Sequence, residues 1–144
     1  MYAQQAQRDR FADGGLATAS GSKIIQLCFE RLDRDLDGAV DAIAAHHFYR
    51  AHDLLCHAQD LVFELLCMLD LEAWEPAADL ARIYGYVLEL LAKANISKIA
   101  KPANEARMLL ASLGDGFRQA AAQLAAAPSA HNSDRARGEL SLRA

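Results

Sequence analysis

Apolar side chains recur every three or four positions along most of this chain, in four separate stripes. The first comprises Ile25, Cys28/Phe29, Leu32, Leu36, Val40 and Ile43. An α-helix turns once in about 3.6 residues, so these positions share one helical face. Ser20 or Ser22 is placed to cap this helix by accepting from its free backbone amides. A second stripe, Ala51, Leu54/Leu55, Ala58, Leu61/Val62, Leu65 and Met68/Leu69, predicts a helix from near His47-Phe48 to about Leu69. A break is expected over Asp70 to Glu75. Pro76 then suits the first turn of a third helix, where its missing amide costs nothing. Leu80, Ile83/Tyr84, Val87/Leu88, Leu91 and Ala94 form its stripe. Asn95 to Lys101 reads as a connection, and Pro102 marks the next helix start. Ala106, Leu109/Leu110, Leu113, Phe117 and Leu124 line the fourth helix, with Gly114 and Gly116 as weak points.

Short connections make consecutive long helices antiparallel neighbours. The expected fold is all-α: an antiparallel up-down-up-down four-helix bundle. One helical-bundle domain spans 1–127, its first 21 residues a loose N-terminal arm containing Asp13-Gly14-Gly15. The stretch 128–144 loses the periodicity and is rich in Ser, Arg, Asn and Ala, so it reads as a disordered tail.

Composition narrows the function. The chain has 144 residues, 53% of them hydrophobic, with only three prolines and eight glycines. That is enough for one well-filled helical core. A net charge of -4, with the basic residues scattered, argues against nucleic acid as a partner. No apolar run approaches the roughly 18 residues of a membrane span, so no stable membrane insertion is expected. Met1 to Phe11 lacks the apolar centre of a secretory signal, which predicts a cytoplasmic protein. Cys28, Cys56 and Cys67 fall at core-like helical positions and read as buried, reduced thiols acting as small hydrophobes.

Three local patterns suggest chemistry that their details do not support. Asp33-Arg34-Asp35-Leu36-Asp37-Gly38 copies the first half of a calcium-binding loop, and Asp41 falls at its ninth position. Its twelfth position is Ala44 rather than a bidentate Glu. The apolar stripe also runs unbroken through the supposed loop, which makes it helix, with Asp33, Asp37 and Asp41 on a solvated face. His46, His47, His52 and His57 cluster, but His52 and His57 are five apart, not the four of a helical metal pair. A phosphotransfer histidine at His57 would want a basic neighbour, and Asp60 supplies an acid. No nucleophile, metal or phosphate motif stands out, so no catalytic residue, metal or cofactor is assigned. Tyr84 and Tyr86 lie two apart on their helix, so one should face the core and the other a partner or solvent.

The ordered set Thr18-Ala19-Ser20, Leu27-Cys28-Phe29-Glu30, Ala58-Gln59 with Glu64-Leu65, Leu69-Asp70, Tyr84-x-Tyr86 and Ala94-Asn95 resembles the flagellin export chaperone family, the FliS family. Each motif is short; the order and spacing carry the resemblance, over about 105 residues from Phe11 to about Ala120. There are departures. Gly21 stands in place of a family proline, Arg31 in place of a common glycine, Phe117 where Trp is frequent, and Arg8 where a tyrosine is usual. The segment around Ala73-Trp74-Glu75-Pro76 looks one residue short. The resemblance implies a chaperone without catalysis. It would bind the C-terminal region of flagellin, prevent early polymerisation, and help deliver it to the flagellar type III export apparatus, meeting the export gate while loaded. Together with apolar side chains beyond one narrow seam, it nominates Ile24, Leu27, Leu61, Leu65 and Tyr86 as the flagellin-binding surface. The same five serve equally well as core. A helical adaptor for another protein partner is the alternative.

Overall fold

The computed structural model describes residues 21–126. Four helices account for nearly all of them: α1 (Gly21–Ala44), α2 (Phe48–Cys67), α3 (Ala77–Ser97) and α4 (Ala100–Ala126). Each packs against its chain neighbours, and α4 closes back on α1, which gives the four-helix ring expected from the stripes. The loose arm and the disordered tail expected from the sequence lie outside the described residues. Gly21 opens α1, so Ser22 lies within its first turn rather than ahead of it.

The core is the sum of the four stripes. Leu32, Leu36, Ala51, Leu55, Val62, Val87, Leu91 and Ala106 are completely buried. At about 25 cal/mol per Å² of apolar area removed from water, such positions supply most of the drive to fold. Phe29 stacks on Phe117 with ring centroids 5.6 Å apart. Gly114, facing it, lets that pair close up: a Cβ there would lie 3.3 Å from the Phe29 ring. Leu124 continues the α4 stripe, yet it is 79% exposed. The Gly114–Phe29 contact sets the antiparallel register of α4 on α1, and on that register Leu124 lies past the level of Gly21, where α1 starts.

The turns are built by polar and left-handed residues. His46 has φ 58, and the His47 amide donates back to the Ala42 carbonyl at 2.8 Å. This is a left-handed helix terminus of the kind glycine usually provides. Between α2 and α3, Asp70 Oδ1 accepts from the amides of Glu72 and Ala73, each at 3.1 Å. That carboxylate organises the break expected at Asp70 to Glu75.

The third connection corrects the sequence reading. Helix does not stop at Asn95 but continues to Ser97, and α4 begins at Ala100, two residues ahead of Pro102. Lys98 takes the left-handed conformation, and its amide donates to the Ala94 carbonyl at 2.8 Å. The Ser97 hydroxyl donates to the Lys93 carbonyl and accepts from the Ile99 amide. One left-handed residue with side-chain caps therefore makes the reversal in two residues. Pro102 still falls in the first turn of its helix, where its missing amide is harmless.

The supposed calcium loop is continuous helix within α1. Its carboxylates have separate tasks. Asp33 and Asp37 both accept from Arg107 of α4, at 2.7 Å each. Asp35 turns the other way and is the one buried charged residue among those described, 2% exposed. It accepts from Arg31 Nε at 3.1 Å and pairs with His57 Nδ1 of α2.

The Arg107 bridge makes acid stability testable. Its hydrogen bond holds the Asp33 carboxyl below the ordinary aspartate value of 3.8. A carboxyl depressed in the folded state stabilises the fold above that value and loses the contribution as pH falls through it. Acid titration of unfolding should therefore show a steeper loss below about pH 4 in the wild type than in Arg107→Ala. Parallel acid limbs would show that the bridge contributes nothing.

Candidate functional site

The nominated residues can be placed from the registers of the two seams that hold them. Asp35 meets His57, and the Leu54 side chain reaches within 3.1 Å of where a Cβ on Gly38 would stand. Stepping from these contacts at helical spacings of three and four brings Ile24 of α1 and Leu61 and Leu65 of α2 to the same α1/α2 seam. Ile24 and Leu61 are partly buried and pack on the core. Leu27 stands at the rim of this seam, 47% exposed. Leu65 is only 3% exposed and belongs to the core, so it forms the floor under the seam rather than an open contact.

Tyr86 lies elsewhere. Its hydroxyl donates to Glu105 Oε1 of α4 at 2.6 Å, which puts it on the α3/α4 seam. That hydrogen bond raises the phenol above its ordinary value. In the ring of four helices the α3/α4 seam is opposite the α1/α2 seam. The structure thus joins Ile24, Leu27 and Leu61 in one surface and separates Tyr86 from them. Tyr84 and Tyr86 divide as their spacing requires. Tyr84 is 1% exposed, and burial pushes its hydroxyl up to about 12, while Tyr86 keeps 43% of its surface open.

A further groove, of about 490 Å³, runs between α1 and α4. Phe29, Leu36, Leu110 and Gly114 form its apolar floor, and Asp33, Arg34, Arg107 and Arg118 its charged rim. None of the nominated residues lines it. Gly114 within an apolar stripe was the signal available in the sequence, since a missing side chain on a core-facing position leaves room. Other exposed apolar side chains include Met108 and Phe63 along the helices and several at the two ends of the bundle. Tyr49, Ile96 and Ile99 are at the end carrying the α1/α2 and α3/α4 turns, and Leu71 and Trp74 are in the α2/α3 turn at the other.

The reading of the cysteines needs correction. Cys28 is buried, and burial raises its thiol above the ordinary value. Cys56 and Cys67 are only half-buried. The core positions of α2 are Ala51, Leu55, Ala58, Val62 and Leu65. Cys56 and Cys67 each follow such a position by one or two residues, which turns them off the core face.

A bundle of this kind, with closed polar turns and apolar side chains open along two opposite seams, defines a helical protein with surfaces suited to another polypeptide. Among the described residues no group of three or more His, Cys, Asp or Glu is gathered as for a metal, and no helix is long and apolar enough to cross a membrane. The family model for "Flagellar protein FliS" matches residues 2–124, and the chain belongs to that family. It is a family of flagellar chaperones, not of enzymes. No curated protein matches the chain.

Proposed function

We propose that this protein is a cytoplasmic export chaperone for flagellin. It binds flagellin's C-terminal region, blocks premature polymerisation, and aids delivery to the flagellar type III export apparatus, meeting the export gate while loaded. Membership of the FliS family is the observation that carries this reading. The arrangement of the exposed and half-buried apolar side chains supports it. Ile24, Leu27 and Leu61 offer one contact surface, with Leu65 as its floor, and Tyr86 offers a second on the opposite side. A partner using both must be an extended chain that wraps the bundle, as a segment without a fold of its own can. Such a segment gains order on binding by laying the apolar faces of short helices into seams of this kind.

Co-purification tests the reading. The full chain should retain flagellin and lose it when flagellin's C-terminal segment is deleted. Retention of the truncated flagellin would overturn the assignment of the bound region. No retention of intact flagellin would favour the alternative, a helical adaptor for another protein.

A further inference from the structure

Two arginines bind the carboxylates of α1, and one of them has donors to spare. Arg107 of α4 engages two carboxylates at once: Nε donates to Asp33 Oδ1 and Nη1 to Asp37 Oδ1, each at 2.7 Å. Arg31, within α1, donates through Nε to Asp35 Oδ1 at 3.1 Å. Among the described residues nothing accepts from its two terminal nitrogens. A guanidinium carries five N–H donors in a planar fork, and Asp35 takes only one of them here. Asp35 is buried and also holds His57, whereas Arg31 and His57 keep about half of their side-chain surface open. The buried carboxylate therefore fixes a partly used guanidinium at the mouth of the α1/α2 seam.

That seam is the one holding Ile24, Leu27 and Leu61. Leu27, Arg31 and Asp35 are spaced by four on α1, and His57 and Leu61 by four on α2, so each set follows one face of its helix. The seam thus passes from apolar to polar within one helical turn. Asp60 and Glu64 stand close to Leu61 along α2, yet neither forms an ion pair with Arg31. An apolar residue in place of Asp35 would fill the seam without the desolvation cost of a carboxylate. What the carboxylate adds is a fixed direction for the guanidinium.

Resting on the flagellin reading above, we propose that Arg31 is a specificity-determining contact for the bound segment, with Asp35 as its positioning residue. Arg31 pairs with a carboxylate that the segment carries one helical turn from the apolar side chain it lays against Leu27 and Leu61. The segment in this seam is therefore an amphipathic helix with an Asp or Glu three or four residues from its apolar anchor, the acid lying toward the His57 end. Arg31 then bridges two carboxylates, its own and the partner's, as Arg107 bridges Asp33 and Asp37. A segment that presents a Lys or an apolar residue there leaves the guanidinium unpaired or repelled, so Arg31 selects the register of the helix as well as its sequence.

The full chain is titrated with intact flagellin at about 50 mM and at about 500 mM salt. Arg31→Gln, with its circular dichroism unchanged, should bind about fivefold more weakly than the wild type at the lower salt. The gap should close at the higher salt, where screening weakens the wild type's ion pair. Leu27→Ala should lose affinity to the same extent at both. Arg82→Gln removes the same charge from an exposed position on α3 and should bind as the wild type does. A folded Arg31→Gln protein that keeps wild-type affinity, or whose loss is the same at both salts or is matched by Arg82→Gln, overturns the proposal. So does a gain of affinity, which would mean that the guanidinium serves a carboxylate of its own chain. If Arg31→Gln does not fold, the wild type decides, and affinity that does not fall with salt overturns the proposal. A wild type that binds no flagellin at either salt removes flagellin as the partner and this inference with it, whereas failure in the Arg31 variant alone leaves the flagellin reading standing.

Discussion

Replacing Leu32 with Ala is expected to lower the unfolding free energy by about 2–5 kcal/mol. Leu32 is completely buried at the centre of the α1 stripe, and the methyl groups removed leave a cavity that rigid neighbours on α2 and α4 cannot fill. Against a typical total of about 5–15 kcal/mol, that is a large share. Leu27→Ala and Tyr86→Ala should behave in the opposite way. Both side chains are nearly half exposed, so their truncation should cost less than about 1 kcal/mol in folding. If they anchor flagellin, each should weaken binding by about 1 kcal/mol or more, which is at least fivefold in affinity. Urea unfolding and flagellin titration, run on the same three variants, check the prediction. A Leu27 or Tyr86 variant that binds with full strength removes that residue from the proposed surface. One that loses binding only because it unfolds makes the residue core instead.

The second large effect is expected at the buried carboxylate. His57→Leu should cost about 1–3 kcal/mol, because it leaves Asp35 desolvated with Arg31 as its remaining partner. The double variant Asp35→Leu/His57→Leu should recover much of that loss. Removing both partners discards the desolvation cost of the buried Asp35 carboxylate along with its bond to the half-exposed His57, and the Asp35 position then becomes apolar seam like its surroundings. A thermodynamic cycle over the two single variants and the double one measures the coupling. The expectation fails if the double variant is as unstable as the sum of the two singles. In that case the His57–Asp35 contact is not what holds Asp35 in the seam.

Much of the fold was legible in the residues. All four helices follow from stripes at spacings of three and four, and Leu32, Leu55, Val62, Tyr84, Leu91 and Leu110 are core as their positions require. The helix through Asp33 to Ala44 was also readable, because Leu36, Val40 and Ile43 continue the stripe where a loop would interrupt it. The end of α3 was not. Asn95 looks like a helix stop in isolation, but its amide is engaged by His52 and Cys56 of another helix, and Lys98 makes the reversal instead. A contact 43 positions away along the chain leaves no mark on local pattern.

The candidate site divides in the same way. Sequence alone determined that the chain forms amphipathic helices with more apolar surface than one seam needs, because helical periodicity is a local property. It also carried the family membership, which lies in the order of short motifs. Only the tertiary structure decided which apolar residues stay open. Leu27 flanks the first stripe and Leu65 lies within the second; both were nominated for the binding surface, yet one is 47% and the other 3% exposed. The difference is set by how α1 and α2 are rotated and registered against each other, through Asp35–His57 and Gly38–Leu54. The same packing put Tyr86 on the opposite side of the bundle, buried Asp35 among aspartates that are otherwise solvated, and turned Cys56 from a presumed core filler toward an imidazole. Periodicity gives a helix its apolar face; burial depends on what the neighbouring helices cover, and that is fixed only when all four are packed together.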